Sequence, residues 1–244
     1  MKAVLFGATR GIGRAIAREL AGRGEALFLL GRDGAELARS ASDLQLRGAR
    51  ATGFAHCDLF EPAGFEPALA RAEASFEGFD VVVMSAGVQY PQETLEGDPD
   101  LLEHLLLADF VHTLRFCEAA RRRLLARGGG TLCVLSSVAG DRARTPVALY
   151  GAAKAGLSHY LDGLDHGYRS KGLRTTCVKP GFVRTGLTRG LLEPPFAADP
   201  ERVARVVVRA IDRGRPVVYA PPVWRALMTV VRALPRAVLR RARF

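Results

Sequence analysis

Seven short runs of apolar and β-branched residues punctuate the chain, and stretches of helical periodicity separate them. The runs lie at residues 3–6, 26–30, 51–56, 80–84, 131–135, 175–178 and 216–219. The strongest, ALFLL at 26–30 and DVVVM at 80–84, show no alternation of apolar with polar positions. A strand of that kind is buried on both faces and needs helices above and below it. Residues 11–23, 35–47, 62–76, 101–127, 150–171 and 200–213 read as those helices; in the first, Ile12, Ile16 and Leu20 share a face. Repeated strand–helix–strand units of this spacing predict an α/β chain, a doubly wound parallel sheet of about seven strands. Ligands of such sheets bind beyond the carboxyl ends of the strands.

The 244 residues suffice for one domain with a sizeable core. We expect a single domain over residues 1–220 and a basic amphipathic tail over 221–244. The 48% apolar and 25% charged fractions exclude wholesale disorder. No run of 18 uncharged apolar residues is present, which excludes a membrane-spanning helix. Cys57, Cys117, Cys133 and Cys177 are far apart and form no CxxC pair, which fits a reducing compartment. The N-terminus enters a motif at once and reads as no secretory leader, so a cytoplasmic location is expected, with the inner face of a membrane as a further reading. The five histidines show no metal-ligand spacing, and no metal is expected. Net charge is +10, and residues 221–244 alone carry six Arg and no acid. Nucleic acid is not an expected partner, because the chain shows no recognition helix or RNA motif.

Gly7, Gly11 and Gly13 sit between the first strand and the first helix, spaced G-x-x-x-G-x-G through Thr9, Arg10 and Ile12. Such glycines allow a tight turn, close approach of backbone to a pyrophosphate, and close packing of helix on sheet. The helix start then offers free N–H groups to phosphate. Downstream, Ser136-Ser137 follows the fifth strand, Tyr150-Gly151-Ala152-Ala153-Lys154 opens a helix, and Pro180-Gly181-Phe182-Val183-Arg184-Thr185 follows the sixth strand. In this order and spacing the chain resembles the short-chain dehydrogenase/reductase family over about residues 1–220. The resemblance implies a Rossmann-like fold, a nicotinamide nucleotide and a homodimer or homotetramer paired through the helix that begins at Tyr150.

At the second strand tip stands Gly31, which leaves room where an acid would repel a 2′-phosphate; Arg32 follows and Arg10 lies in the glycine turn. Two guanidiniums converging on a 2′-phosphate favour NADP(H). Asp33 binding the ribose of NAD(H) is the alternative. Asp58-Leu59 ends the third strand; the resemblance gives Asp58 a contact to adenine, and an N-cap role is the other reading. Met84-Ser85-Ala86-Gly87 ends the fourth strand where the family has Asn-Asn-Ala-Gly, so Ala86 and Gly87 match and the bracing by the two Asn is lost. Pro180, Gly181, Val183 and Thr185 correspond to the segment that clamps the nicotinamide and phosphates.

Tyr150 and Lys154 are four apart on a helix and therefore share a face. An ammonium beside a phenol draws the phenol's pKa down, which makes it a usable general acid or base. The resemblance implies that Tyr150 handles the proton at the substrate oxygen, that Lys154 holds the nicotinamide ribose, and that Ser137 orients the carbonyl. Asp109 stands where the family has an Asn that links the Lys to solvent; its charge would raise the Tyr150 pKa. The expected activity is reduction of a ketone, or oxidation of the matching alcohol, by hydride transfer. A nucleotide-binding sensor or scaffold with little turnover is the alternative.

In the tail, Trp224, Leu227, Met228, Val231 and Leu234 recur near helical spacing, Pro235 breaks the run, and Leu239 and Phe244 continue it. An apolar face with Arg and no acid suits an anionic membrane surface; packing on the substrate pocket or on a partner subunit is the other reading. Residues 87–95, 140–149 and 186–200 are expected to line the substrate pocket. Leu187, Leu191, Leu192 and Phe196 there suggest an apolar or lipid-linked carbonyl compound.

Overall fold

The computed structural model describes residues 1–190 and 193–241. Leu191, Leu192 and Phe244 fall outside the described residues. The chain runs β1 (Lys2–Phe6), α1 (Gly11–Ala21), β2 (Ala26–Gly31), α2 (Gly34–Leu46), β3 (Ala51–His56), α3 (Phe65–Phe76), β4 (Val81–Met84), α4 (Gln92–Gly97), α5 (Pro99–Leu106), α6 (Thr113–Ala126), β5 (Gly130–Leu135), α7 (Ala148–Tyr168), β6 (Leu173–Pro180), α8 (Pro200–Asp212), β7 (Val217–Ala220), α9 (Val223–Ala233) and α10 (Arg236–Arg241). Seven strands form one parallel sheet in the order β3-β2-β1-β4-β5-β6-β7. The direction of winding reverses between β1 and β4, which opens a crevice at their carboxyl ends.

Alternate residues of each strand enter opposite layers. Val4, Phe6, Phe28, Leu30, Val82 and Met84 pack with Phe116, Leu69 and Leu157 of α6, α3 and α7. Leu5, Leu27, Leu29 and Val83 pack with Ile16, Leu20, Leu37 and Val207 of α1, α2 and α8. Register makes the crevice possible. Phe6 is level with Leu30 on one side and Met84 on the other, so the loops beginning at Gly7, Gly31 and Ser85 leave the sheet together.

Two elements differ from the sequence reading. Residues 62–64 form a 3-10 turn led by Pro62, and α3 proper starts at Phe65. The single helix read over 101–127 is divided: α5 begins at Pro99, capped by Asp98, and Leu107–His112 forms a π-helical turn before α6. There the Thr113 hydroxyl donates to the Ala108 carbonyl, five residues back, at 2.7 Å. A π turn inserts extra chain without ending the helix, so apolar periodicity hardly registers it.

Phe116 is fully buried and meets Phe6 edge-on at 4.9 Å and Phe65 at 5.6 Å between ring centroids. Phe116→Ala should lower stability by about 3–5 kcal/mol in urea denaturation, because the surrounding sheet and helices cannot collapse into the void.

Candidate functional site

The crevice floor is backbone. Gly7 has φ +90°, and a Cβ there would lie 2.6 Å from the Ala86 nitrogen. At Gly13 a Cβ would lie 2.3 Å from the Gly7 carbonyl oxygen. The ends of β1 and β4 and the first turn of α1 are thus pressed together as only glycine permits. Ser85 braces the β4 end by donating its hydroxyl to the Phe6 carbonyl at 2.8 Å, which supplies a tie where the family's Asn is missing. The side chain of Arg10 does not cap α1 and no acid lies in its first turn, so its first N–H groups face the crevice mouth without a side-chain partner. Thr185 approaches the same turn: a Cβ at Gly11 would lie 3.4 Å from its methyl carbon.

Around the β2 tip, Glu36 is paired with Arg14 and with Arg39 at 2.7 Å, and Arg39 above all holds its carboxyl below the usual range. Arg10 and Arg32 form no ion pair among the described residues. Asp33 caps α2, accepting from the Glu36 N–H at 2.9 Å. Asp58 closes a turn by accepting from the Phe60 N–H, and is not a helix N-cap. Leu59, Pro180 and Val183 bury their side chains, so what they can offer a ligand is backbone. Ile12 is partly buried against the helical layer of α1.

Ser137, Tyr150, Lys154 and Asp109 come together at the β4 and β5 ends. Ser137 leads a short turn onto which α7 packs closely; a Cβ at Gly151 would lie 2.7 Å from the Ala139 carbonyl oxygen. The Ser137 hydroxyl accepts from the Ala139 N–H at 3.1 Å and lies close enough to the Tyr150 phenol to favour its ionised form. The Lys154 ammonium lies 5.4 Å from the Tyr150 ring centroid and 3.0 Å from Asp109 Oδ2. Asp109, 1% exposed on the π turn, accepts from the Val88 N–H at 2.8 Å through Oδ1. Gly87 makes room for that carboxylate, since a Cβ there would lie 2.7 Å from Oδ1.

Charge in this enclosure does not act in one direction. Burial pushes the Tyr150 phenol up; Lys154 draws it down, Asp109 pushes it up, and the nearby Ser137 hydroxyl draws it down. The net direction is upward, so the lowering expected from Lys154 alone is outweighed. For Lys154, burial works against the charged form, but Asp109 and then Tyr150 raise its pKa above the ordinary value.

Sequence patterns missed three connections. The Trp224 indole lies over Gly181, where a Cβ would fall 2.0 Å from its ring, and α9 packs through Trp224, Met228 and Val231 on Val138 beside Ser137. Asp141 is buried between Lys179 and Tyr219, accepting from the Tyr219 hydroxyl at 2.7 Å. Burial, then Asp141, pushes that phenol up to about 12. Arg142 donates to the Leu234 carbonyl at 2.9 Å. All three join the loop after Ser137 to distant chain, and their residues share no local spacing. Arg184 likewise bridges Glu193 and Asp199 and holds the loop after β6 to the start of α8.

This fold and this crevice define a dinucleotide-binding α/β oxidoreductase. The family model for short chain dehydrogenases matches residues 1–195, and the chain belongs to that family, whose members bind NAD(P)(H). It is 33% identical over 238 residues to an "uncharacterized oxidoreductase" of Mycobacterium tuberculosis, covering 98% of this chain and 95% of that one. It is 28% identical to carbonyl reductase family member 4 of Xenopus tropicalis over 85% of this chain and 89% of that one. A solved short-chain type dehydrogenase/reductase from Mycobacterium ulcerans superposes with a TM-score of 0.80 at 19% identity, over 89% of this chain and 87% of that one.

Removing one member of a buried ion pair strands the other. Lys154→Met should therefore cost about 3–5 kcal/mol in chemical denaturation, and adding Asp109→Leu should recover most of the loss.

Proposed function

We propose that the protein reduces a ketone, or oxidises the matching secondary alcohol, with NADP(H) and with Tyr150 as the group that handles the proton. The observation that carries this reading is the Tyr150 phenol, set between the Ser137 hydroxyl and a charged Lys154 at the carboxyl ends of the central strands, where the glycine turn opens.

The crevice fits the nucleotide. The close packing that Gly7 and Gly13 allow brings the start of α1 against the ends of β1 and β4, and its open N–H groups there suit a pyrophosphate. Arg10 and Arg32 suit a 2′-phosphate, while Asp33 is engaged as a cap. NADP(H) is favoured over NAD(H) on these grounds. Gly181, Val183 and Thr185 would border the nicotinamide, and Asp58 and the Leu59 backbone the adenine. Bound there, the nucleotide would supply the hydride.

Ser137 would hold the carbonyl oxygen by its hydroxyl, and Tyr150 would donate its phenolic proton to that oxygen as negative charge develops. The Lys154 ammonium stabilises the phenolate left behind, and Asp109 keeps the ammonium charged and in place. A raised phenol is protonated at neutral pH, which suits the reducing direction. The apolar side chains Val138, Trp224 and Met228 beside Ser137 support an apolar substrate. The Xenopus relative's name, carbonyl reductase, agrees with this class of reaction.

The test is NADPH absorbance with a panel of short, long-chain and prenyl-linked ketones. Tyr150→Phe should lower kcat/KM about a hundredfold or more while nucleotide binding persists; a fully active variant would refute the assignment. NADPH should exceed NADH in kcat/KM by about tenfold or more, the worth of one charge-assisted contact.

Asp109 adds a sharper prediction. Its carboxylate pushes the Tyr150 phenol up. Asp109→Asn removes that push, so the phenol ionises at lower pH. Reduction needs the protonated phenol, so the alkaline fall of kcat/KM should move to lower pH in the variant. An unmoved pH–rate profile would separate Asp109 from the chemistry.

A further inference from the structure

Helix α9 is apolar on two sides. Trp224, Met228 and Val231 face inward onto Val138 and Tyr219. Val223, Leu227 and Val230 form a second stripe that stands exposed, Val230 at 61%, and the exposed Ala226 and Ala233 extend it. The single apolar face read from sequence is thus divided, with only part of it covered by the body. Beyond Pro235, α10 adds an exposed Val238. These two helices hold 17 residues but carry four of the ten large apolar side chains that are exposed among the described residues. Arg225, Arg236 and Arg240 are exposed on the same two helices, Arg232 is exposed beside Tyr219, and no acidic residue occurs from 213 to the end of the chain.

We propose that the outer face of α9 and α10 docks on the surface of a bilayer containing anionic lipid. The stripe is aliphatic and lies on a convex helix, without the exposed aromatic anchors that dominate protein–protein contacts. A second copy of the chain would bring one Arg-rich, acid-free surface against another, which repels. A bilayer answers both features, with hydrocarbon below for the valines and leucine and phosphate above for the guanidiniums. None of the described helices is long and apolar enough to cross a membrane, so the contact is interfacial. Trp224 on the same helix rests against Gly181, so the docked helix holds that end of the crevice near the lipid. On the function proposed above, this favours carbonyl compounds dissolved in the bilayer.

Flotation of the full chain with phosphatidylcholine vesicles, with and without phosphatidylglycerol, tests the docking. The chain should float with the anionic vesicles and partition about tenfold less onto neutral ones. Val230→Glu should lower partitioning about tenfold, and Leu46→Glu, an exposed change elsewhere, should leave it unaltered. Val230→Glu should also keep the thermal midpoint and the turnover of a water-soluble ketone. Equal flotation on neutral vesicles, no flotation, or unchanged partitioning of Val230→Glu would each overturn the proposal. So would gel filtration in which Val230→Glu splits an oligomer, since the stripe would then belong to a second copy. Absence of ketone turnover in the unmodified chain would strike the enzymatic reading alone and leave the flotation result standing.

Discussion

A buried ammonium organises the end of this molecule where the candidate site lies. Removing a lysine's charge from water is costly unless a fixed anion and hydrogen bonds replace the water. Here Asp109 does so at 3.0 Å, and meeting that need draws three elements together. Lys154 comes from α7, Asp109 from the π turn before α6, and the Val88 N–H that fixes the carboxylate from the loop after β4. The π turn has a physical reason in this arrangement. A side chain on a regular helix would sit at a set angle, and one extra residue in a turn re-aims it. Gly87 completes the fit by leaving the space that a Cβ would take from Oδ1.

Much of this was legible in sequence because it is local. The two-sided apolar strands, the glycine turn before α1 and the four-residue step from Tyr150 to Lys154 are written in neighbouring residues, and each has one structural solution. The partnership of Asp109 with Lys154 is not local, and could be placed only by an ungapped count along a helix whose π turn was invisible. What stayed hidden is longer in range. Nothing near Trp224 says that its ring will lie over Gly181, and nothing near Asp141 names Lys179 and Tyr219 as its partners. Such contacts depend on which strand ends lie side by side, which is settled by the sheet order.

The tail shows the same limit differently. Periodicity alone groups Trp224, Leu227, Met228, Val231 and Leu234 as one apolar face. Packing divides them, because the body can cover only the side that meets Val138 and Tyr219. Trp224, Met228 and Val231 go inward, and Leu227 stays out beside Val223 and Val230. Arg142, by bonding the Leu234 carbonyl at the end of α9, ties this helix to the loop that starts at Ser137. The loop after Ser137 and the tail are therefore one packed unit, although the chain between them includes two strands and two helices.

That unit and the Asp109–Lys154 pair bear on the chemistry from opposite sides. An unpaired ammonium beside a phenol would favour the phenolate, the form that accepts a proton. Pairing with Asp109 cancels part of that field, and burial by the surrounding apolar side chains disfavours any new charge, so the phenol remains a donor. On the reaction proposed above, a donor suits a carbonyl oxygen that gains charge. The apolar side chains of Leu95, Leu105 and Ala153, against which Tyr150 packs, keep water from the phenol. A charge-balanced base beneath the tyrosine and an apolar wall beside it are thus consistent with each other, since a low-polarity pocket tolerates a paired lysine far better than a lone one.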